Sequence, residues 1–85
     1  MDRKNLLRRL SRGSLQNVAF ADVTDLVKAF GFRLARVSGS HHIFKHSVIP
    51  GMLNLQKVNG QAKPYQIRQF LRLVERYNLR VEDEP

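Results

Sequence analysis

Three histidines, His41, His42 and His46, fall within six residues, and the chain has no others. They directly follow Gly39-Ser40, a turn signal, and Lys45 stands among them. Imidazole, with an unperturbed pKa of about 6.5, gives and takes protons near neutral pH. Such a cluster in a strongly basic chain suits acid–base chemistry on a phosphate backbone. On a strand, successive side chains point to opposite faces. His42, Phe44 and His46 therefore share one face, and His41, Ile43 and Lys45 share the other. Only one of the two adjacent histidines can serve a given cleft.

Zinc is a second chemistry to weigh. His42 and His46 could contribute two ligands from one face, but zinc needs three or four. The chain has no cysteine, and no Asp or Glu lies near the cluster. The reading is therefore no metal and no cofactor. A further alternative is that the histidines are solvated strand-edge residues. Their number, and their place behind Gly39-Ser40 beside Lys45, favour function.

The rest of the chain bounds the answer. Its 85 residues make one domain with one thin core. Fifteen Lys and Arg against seven Asp and Glu leave a formal charge of +8. Three of the acids, Glu82, Asp83 and Glu84, sit at the C-terminus, so the body is more basic still. Such a body attracts polyanions, nucleic acid first and an acidic protein second. No apolar run approaches the ~18 residues of a membrane span, and no apolar segment follows the basic N-terminus as a signal peptide would require. With no cysteine, a cytoplasmic location is expected.

The elements that must position the histidines can be read in order. Asp2 to Leu10 forms a short helix, with Leu6, Leu7 and Leu10 on one face and Asp2 placed to cap it. This segment could be a docked helix or a basic arm. Val23, Leu26, Val27 and Phe30 recur at helical spacing and predict a helix over about residues 20–30, ended by Gly31. Phe32–Ser38 and His41–Val48 read as an antiparallel hairpin about Gly39-Ser40. Ile49-Pro50-Gly51 is a turn, Met52–Val58 a third strand, and Asn59-Gly60 its end. Gln61 to Lys63 connects to the last helix, which Pro64 opens. Ile67, Phe70, Leu71 and Val74 form its buried stripe, Arg68 and Arg72 lie on other faces, and Asn78 caps its end.

The prediction is an α+β fold of two layers. A three-stranded antiparallel sheet packs against helices in the order α-β-β-β-α, with an extra helix in front. Double-stranded-RNA-binding domains use this order. Residues 1–19 make a basic extension, 20–78 the domain and 79–85 an acidic tail.

Several of these residues form an ordered pattern. It includes Phe20, the helix stripe and Gly31-Phe32, then Arg36-Val37-Ser38-Gly39-Ser40-His41-His42-Ile43-Phe44-Lys45-His46. It resumes with Pro50-Gly51, the next strand, and Lys63-Pro64 with the Ile67-to-Leu71 helix. In this pattern the chain resembles the HicA toxins of bacterial toxin–antitoxin pairs, over roughly residues 20–75. The resemblance implies a double-stranded-RNA-binding-like fold, a ribonuclease acting on messenger RNA, and neutralisation by a HicB antitoxin. It also implies that His41, directly after Gly-Ser, is catalytic and that Gly39 belongs to the turn presenting it. Two departures are visible. Residues 1–19 extend the N-terminus. In addition, the family's third strand often ends in a Pro-His segment, where this chain reads Leu55-Gln56-Lys57-Val58-Asn59-Gly60.

The expected reaction uses RNA's own 2′-OH as nucleophile, without metal. His41 transfers the proton. Lys45, on the same strand face, and Lys63, at the start of the last helix, are candidates to stabilise phosphate charge. His42 and His46 are further catalytic or phosphate-contacting candidates. Arg36, Lys45, Lys63, Arg68 and Arg72 are the RNA-binding candidates, and Phe44 and Tyr65 are the aromatics available for base stacking. The rival readings are a non-catalytic RNA-binding module and a basic subunit built for an acidic protein partner.

Overall fold

A computed structural model describes residues 2–81 of the chain; the acidic Glu82, Asp83 and Glu84 of the expected tail lie outside the described residues. Three helices, α1 (Arg3–Ser11), α2 (Phe20–Ala29) and α3 (Pro64–Arg76), accompany four strands. The strands are β1 (Arg33–Ser38), β2 (His41–Lys45), β3 (Leu53–Val58) and β4 (Gln61–Ala62). They form one antiparallel sheet in the order β1-β2-β3-β4.

The α+β class is as read from the sequence, but the sheet has four strands rather than three. The extra strand is the Gln61–Lys63 connection. Gln61 and Ala62 pair with Val58 and Lys57 across the Asn59-Gly60 turn. The Ala62 amide also donates to Val18 O, and the Phe20 amide donates to Gly60 O. The second of these bonds satisfies an amide at the start of α2, where no side chain caps the helix. A second difference is at β2, which ends at Lys45 instead of running to Val48.

The helices cover one face of the sheet. Val23, Leu26, Val27 and Phe30 of α2 and Ile67 and Phe70 of α3 are buried with Phe44, Leu53 and Leu55 from the strands. Phe70 meets Phe30 and Phe32 edge-on, with ring centroids 5.6 and 5.9 Å apart. The sequence allows α1 to be either a docked helix or an arm, and it is docked. Leu6, Leu10, Leu15 and Val18 join the same core. Asp2 caps α1 by accepting from the Lys4 amide at 2.9 Å, and Arg3 of α1 pairs with Asp25 of α2 at 3.1 Å. At the far end of α3, Asn78 takes the left-handed conformation (φ 52°) that follows a helix C-cap.

β1 contains a bulge between Leu34 and Arg36. A regular strand would alternate Arg33, Ala35 and Val37 against Leu34, Arg36 and Ser38. The bulge sets Ala35 out of the pairing. Arg33 then faces Lys45, Arg36 faces Ile43 and Ser38 faces His41, while Leu34 and Val37 pair with Phe44 and His42. The local sequence R-L-A-R-V-S spaces its large apolar residues three apart, and the bulge brings both onto the helix side. As the edge strand, β1 overhangs the helices, so Leu34 and Val37 remain 43% and 52% exposed.

Candidate functional site on the open sheet face

The turn that presents the histidines is a two-residue loop, because Ser38 pairs with His41. Gly39 has φ 60°, and glycine at the first of two loop positions suits a type II′ hairpin. Ser40 O accepts the Lys57 amide at 3.0 Å, tying the turn to β3. His42 donates through Nδ1 to the same carbonyl at 3.2 Å, and its ring lies 4.7 Å from that of Phe20. His42 is thus on the helix side of β2, where it braces the turn.

His46 also faces the helix side, and both its nitrogens are engaged. Nδ1 accepts from the Val48 amide at 3.2 Å, so the proton is on Nε2, which donates to Phe30 O at 3.0 Å. The ring also packs edge-on against Phe32, 4.9 Å between centroids. The loop after β2 is thereby fixed to the end of α2. Among the described residues, no group of three His, Asp or Glu side chains is placed to hold a metal ion.

His41 leaves the opposite, open face. Its partner on β3 is Gln56, and the diagonal neighbour is Asn54. His41 Nδ1 donates to Asn54 Oδ1 at 3.1 Å. That bond orients the ring and leaves the Nε2 lone pair free to accept a proton. Nothing local in the sequence singles out Asn54, because its role needs the β2–β3 register. Gln66 escapes a reading of the sequence for a similar reason. It is buried at the start of α3, where its Oε1 accepts the Gln56 amide at 2.6 Å. This satisfies the edge of β3 beyond the short β4 and holds His41's cross-strand partner.

The other candidates divide between the two faces. Arg36 and Lys45 share the open face with His41 and are exposed, and Arg33, which is not among the sequence candidates, joins them. Lys45 stands four residues from His41, about 13 Å along the strand. Lys63 follows β4, near the end of the sheet where Gln56 pairs with His41, and its ammonium lies 6.0 Å from the centre of the Tyr65 ring. Arg68 and Arg72 are exposed on α3, in the helix layer, and Arg72 lines a depression with Met52 and Leu53. Phe44 is 1% exposed and is thereby removed as a stacking platform, whereas Tyr65 is 52% exposed.

The electrostatics of this face follow from composition. From Leu26 to Val74 the chain has no Asp or Glu, while Lys28, Arg33, Arg36, Lys45, Lys57, Lys63, Arg68 and Arg72 fall within it. All four strands lie inside this acid-free stretch.

A basic two-layer domain with one oriented imidazole on its uncovered sheet face is the class that fold and site define. The model of the HicA toxin family, described as the HicA toxin of bacterial toxin–antitoxin systems, matches residues 20–75. The chain belongs to that family. Comparison with curated proteins and with solved structures finds no match. The matched region contains the whole sheet, α2 and most of α3, while α1 precedes it. No helix among the described residues is long and apolar enough to cross a membrane.

Proposed function

We propose that the protein is a metal-independent endoribonuclease toxin of double-stranded-RNA-binding-like fold, acting on messenger RNA in the cytoplasm and neutralised by a HicB-type antitoxin. The observation that carries the reading is the His41–Asn54 bond of 3.1 Å on the open face. It supplies an imidazole with a free Nε2 amid exposed cations, at the position where the family resemblance puts the catalytic residue.

In the reaction, His41 Nε2 takes the proton of a ribose 2′-OH. The 2′-oxygen attacks the adjacent phosphorus, forming an O–P bond while the P–O5′ bond breaks. The 5′-oxygen leaves and is protonated from solvent or from a cation on this face, and the other product carries a 2′,3′-cyclic phosphate. Positioned proton transfer of this kind contributes typically 10²–10⁴-fold. Gly39 and Ser40 set the position of His41, His42 and His46 hold the surrounding backbone, and Arg36, Lys45 and Lys63 attract the RNA backbone.

The test is RNA cleavage by purified, chelator-treated protein. His41→Ala is expected to abolish cleavage and growth inhibition while leaving fold, RNA affinity and antitoxin binding nearly unchanged. His42→Ala is expected to reduce cleavage less. Wild-type cleavage rates in His41→Ala, or activity only with added metal, would overturn the mechanism. RNA binding without cleavage by the wild type would favour a non-catalytic RNA-binding module.

A further inference from the structure

We propose that the β1 bulge builds a phosphate subsite from Arg33 and Lys45, which holds an RNA backbone phosphate flanking the bond cut at His41. The inference rests on the RNA reading of this face and adds to it a second, non-reacting anchor.

Arg33 and Arg36 are three residues apart and would leave opposite faces of a regular strand. The bulge removes Ala35 from the ladder and turns both arginines to the face of His41. Arg33 then stands directly across from Lys45. Like charges directly opposite each other on a sheet are destabilising. No acid offsets this rung, since the described acidic residues lie on or beside the helices. The bulge therefore assembles a repulsive pair that a bound anion would relieve.

Shape agrees with charge. Arg33, Leu34, Ala35 and Lys45 line a surface depression at the bulge. A guanidinium fork beside an ammonium point charge suits phosphate oxygens. The separation of about 13 Å along β2 between Lys45 and His41 places this pair on a phosphate further along the strand rather than on the reacting one. The subsite would fix the direction of the RNA strand across β2 and draw the target bond to His41.

The experiment measures binding of a fluorescent single-stranded oligoribonucleotide across a salt series. The background is His41→Ala, so that nothing is cleaved. Arg33→Ala/Lys45→Ala is compared with Lys4→Ala/Arg8→Ala, which removes the same charge from the exposed side of α1. The subsite predicts about a tenfold weaker affinity for the first pair, the scale of one charge-assisted hydrogen bond. Its log–log salt slope should also fall by about 0.7, the share of one phosphate. The α1 control should change both much less. Arg33→Ala alone should melt no lower than wild type, since it removes a repulsion. Equal weakening in the two pairs, or none in the first, would overturn the subsite. If only the first pair weakens RNA binding and the wild type never cleaves RNA, the nuclease reading falls, and Arg33 and Lys45 stand as a phosphate anchor without a cut bond beside it. If the first pair affects binding of an acidic protein partner but not of RNA, the surface belongs to that partner and the subsite is refuted.

Discussion

Asn54 determines how useful His41 can be. An imidazole can carry its proton on either nitrogen, and the group bonded to one nitrogen selects the form in which the other is a base. Asn54→Ala removes the acceptor at Nδ1. We expect cleavage to fall about tenfold or more in kcat with little change in KM, and stability to fall by about 1 kcal/mol. Asn54→Asp keeps the geometry and adds a negative charge, which favours the imidazolium. The acid limb of its pH–rate profile should move to higher pH than in wild type, and an unmoved limb would remove Asn54 from the mechanism. His46 gives the opposite pattern. With both nitrogens bonded to backbone, His46→Ala should cost about 1–3 kcal/mol in chemical denaturation. Activity per folded molecule should fall far less than in His41→Ala. In the sequence the three imidazoles look alike, and strand alternation separates His41 from the other two. Which nitrogen carries the proton depends on Asn54 for His41 and on Phe30 for His46, thirteen and sixteen residues away.

Among the elements, α1 and α3 carry clear stability predictions. Phe70→Ala should cost about 3–5 kcal/mol and Leu10→Ala about 2–5 kcal/mol, because both are fully buried. Arg72→Ala, off the buried stripe of α3, should cost under about 0.5 kcal/mol. Urea unfolding of the three variants checks this, and a Leu10→Ala protein as stable as wild type would show that α1 is not part of the core. The Arg3–Asp25 pair adds little because it is partly exposed, at most about 1 kcal/mol. The Arg3 hydrogen bond lowers the Asp25 carboxyl below its ordinary range. Its contribution is therefore present above that range and lost as pH falls through the lowered value. The stripes of α2 and α3 and the Gly39-Ser40 hairpin are legible because each repeats a local period or a turn signal. β4 is not, since two residues become a strand only through Val58, Lys57 and Val18. The bulge is hidden too, although the three-residue spacing of Leu34 and Val37 records it once the register is known.

The two faces of the sheet differ in composition. Helices and apolar strand residues share one side of the sheet, while His41, Arg33, Arg36 and Lys45 occupy the other. The acids lie on either side of the stretch that forms the sheet, none within it. RNA approaching this molecule meets a surface potential set by cations without local acidic partners, so its affinity should be electrostatic and largely independent of sequence. For single strands the log–log slope of affinity against salt should be near −0.7 for each phosphate held. His41→Ala should leave that slope unchanged, because it removes a proton-transfer group rather than a fixed charge. Ile43→Ala, between His41 and Lys45 on the open face, should also leave the melting temperature less changed than Phe44→Ala, its neighbour on the buried face. The measurement is a titration of single-stranded RNA at several salt concentrations, with melting curves of the same variants. An affinity constant across the salt series would remove the charged sheet face as the RNA surface. Equal melting temperatures for the Ile43 and Phe44 variants would remove the division between the two faces, on which the assignment of His41 to solvent depends.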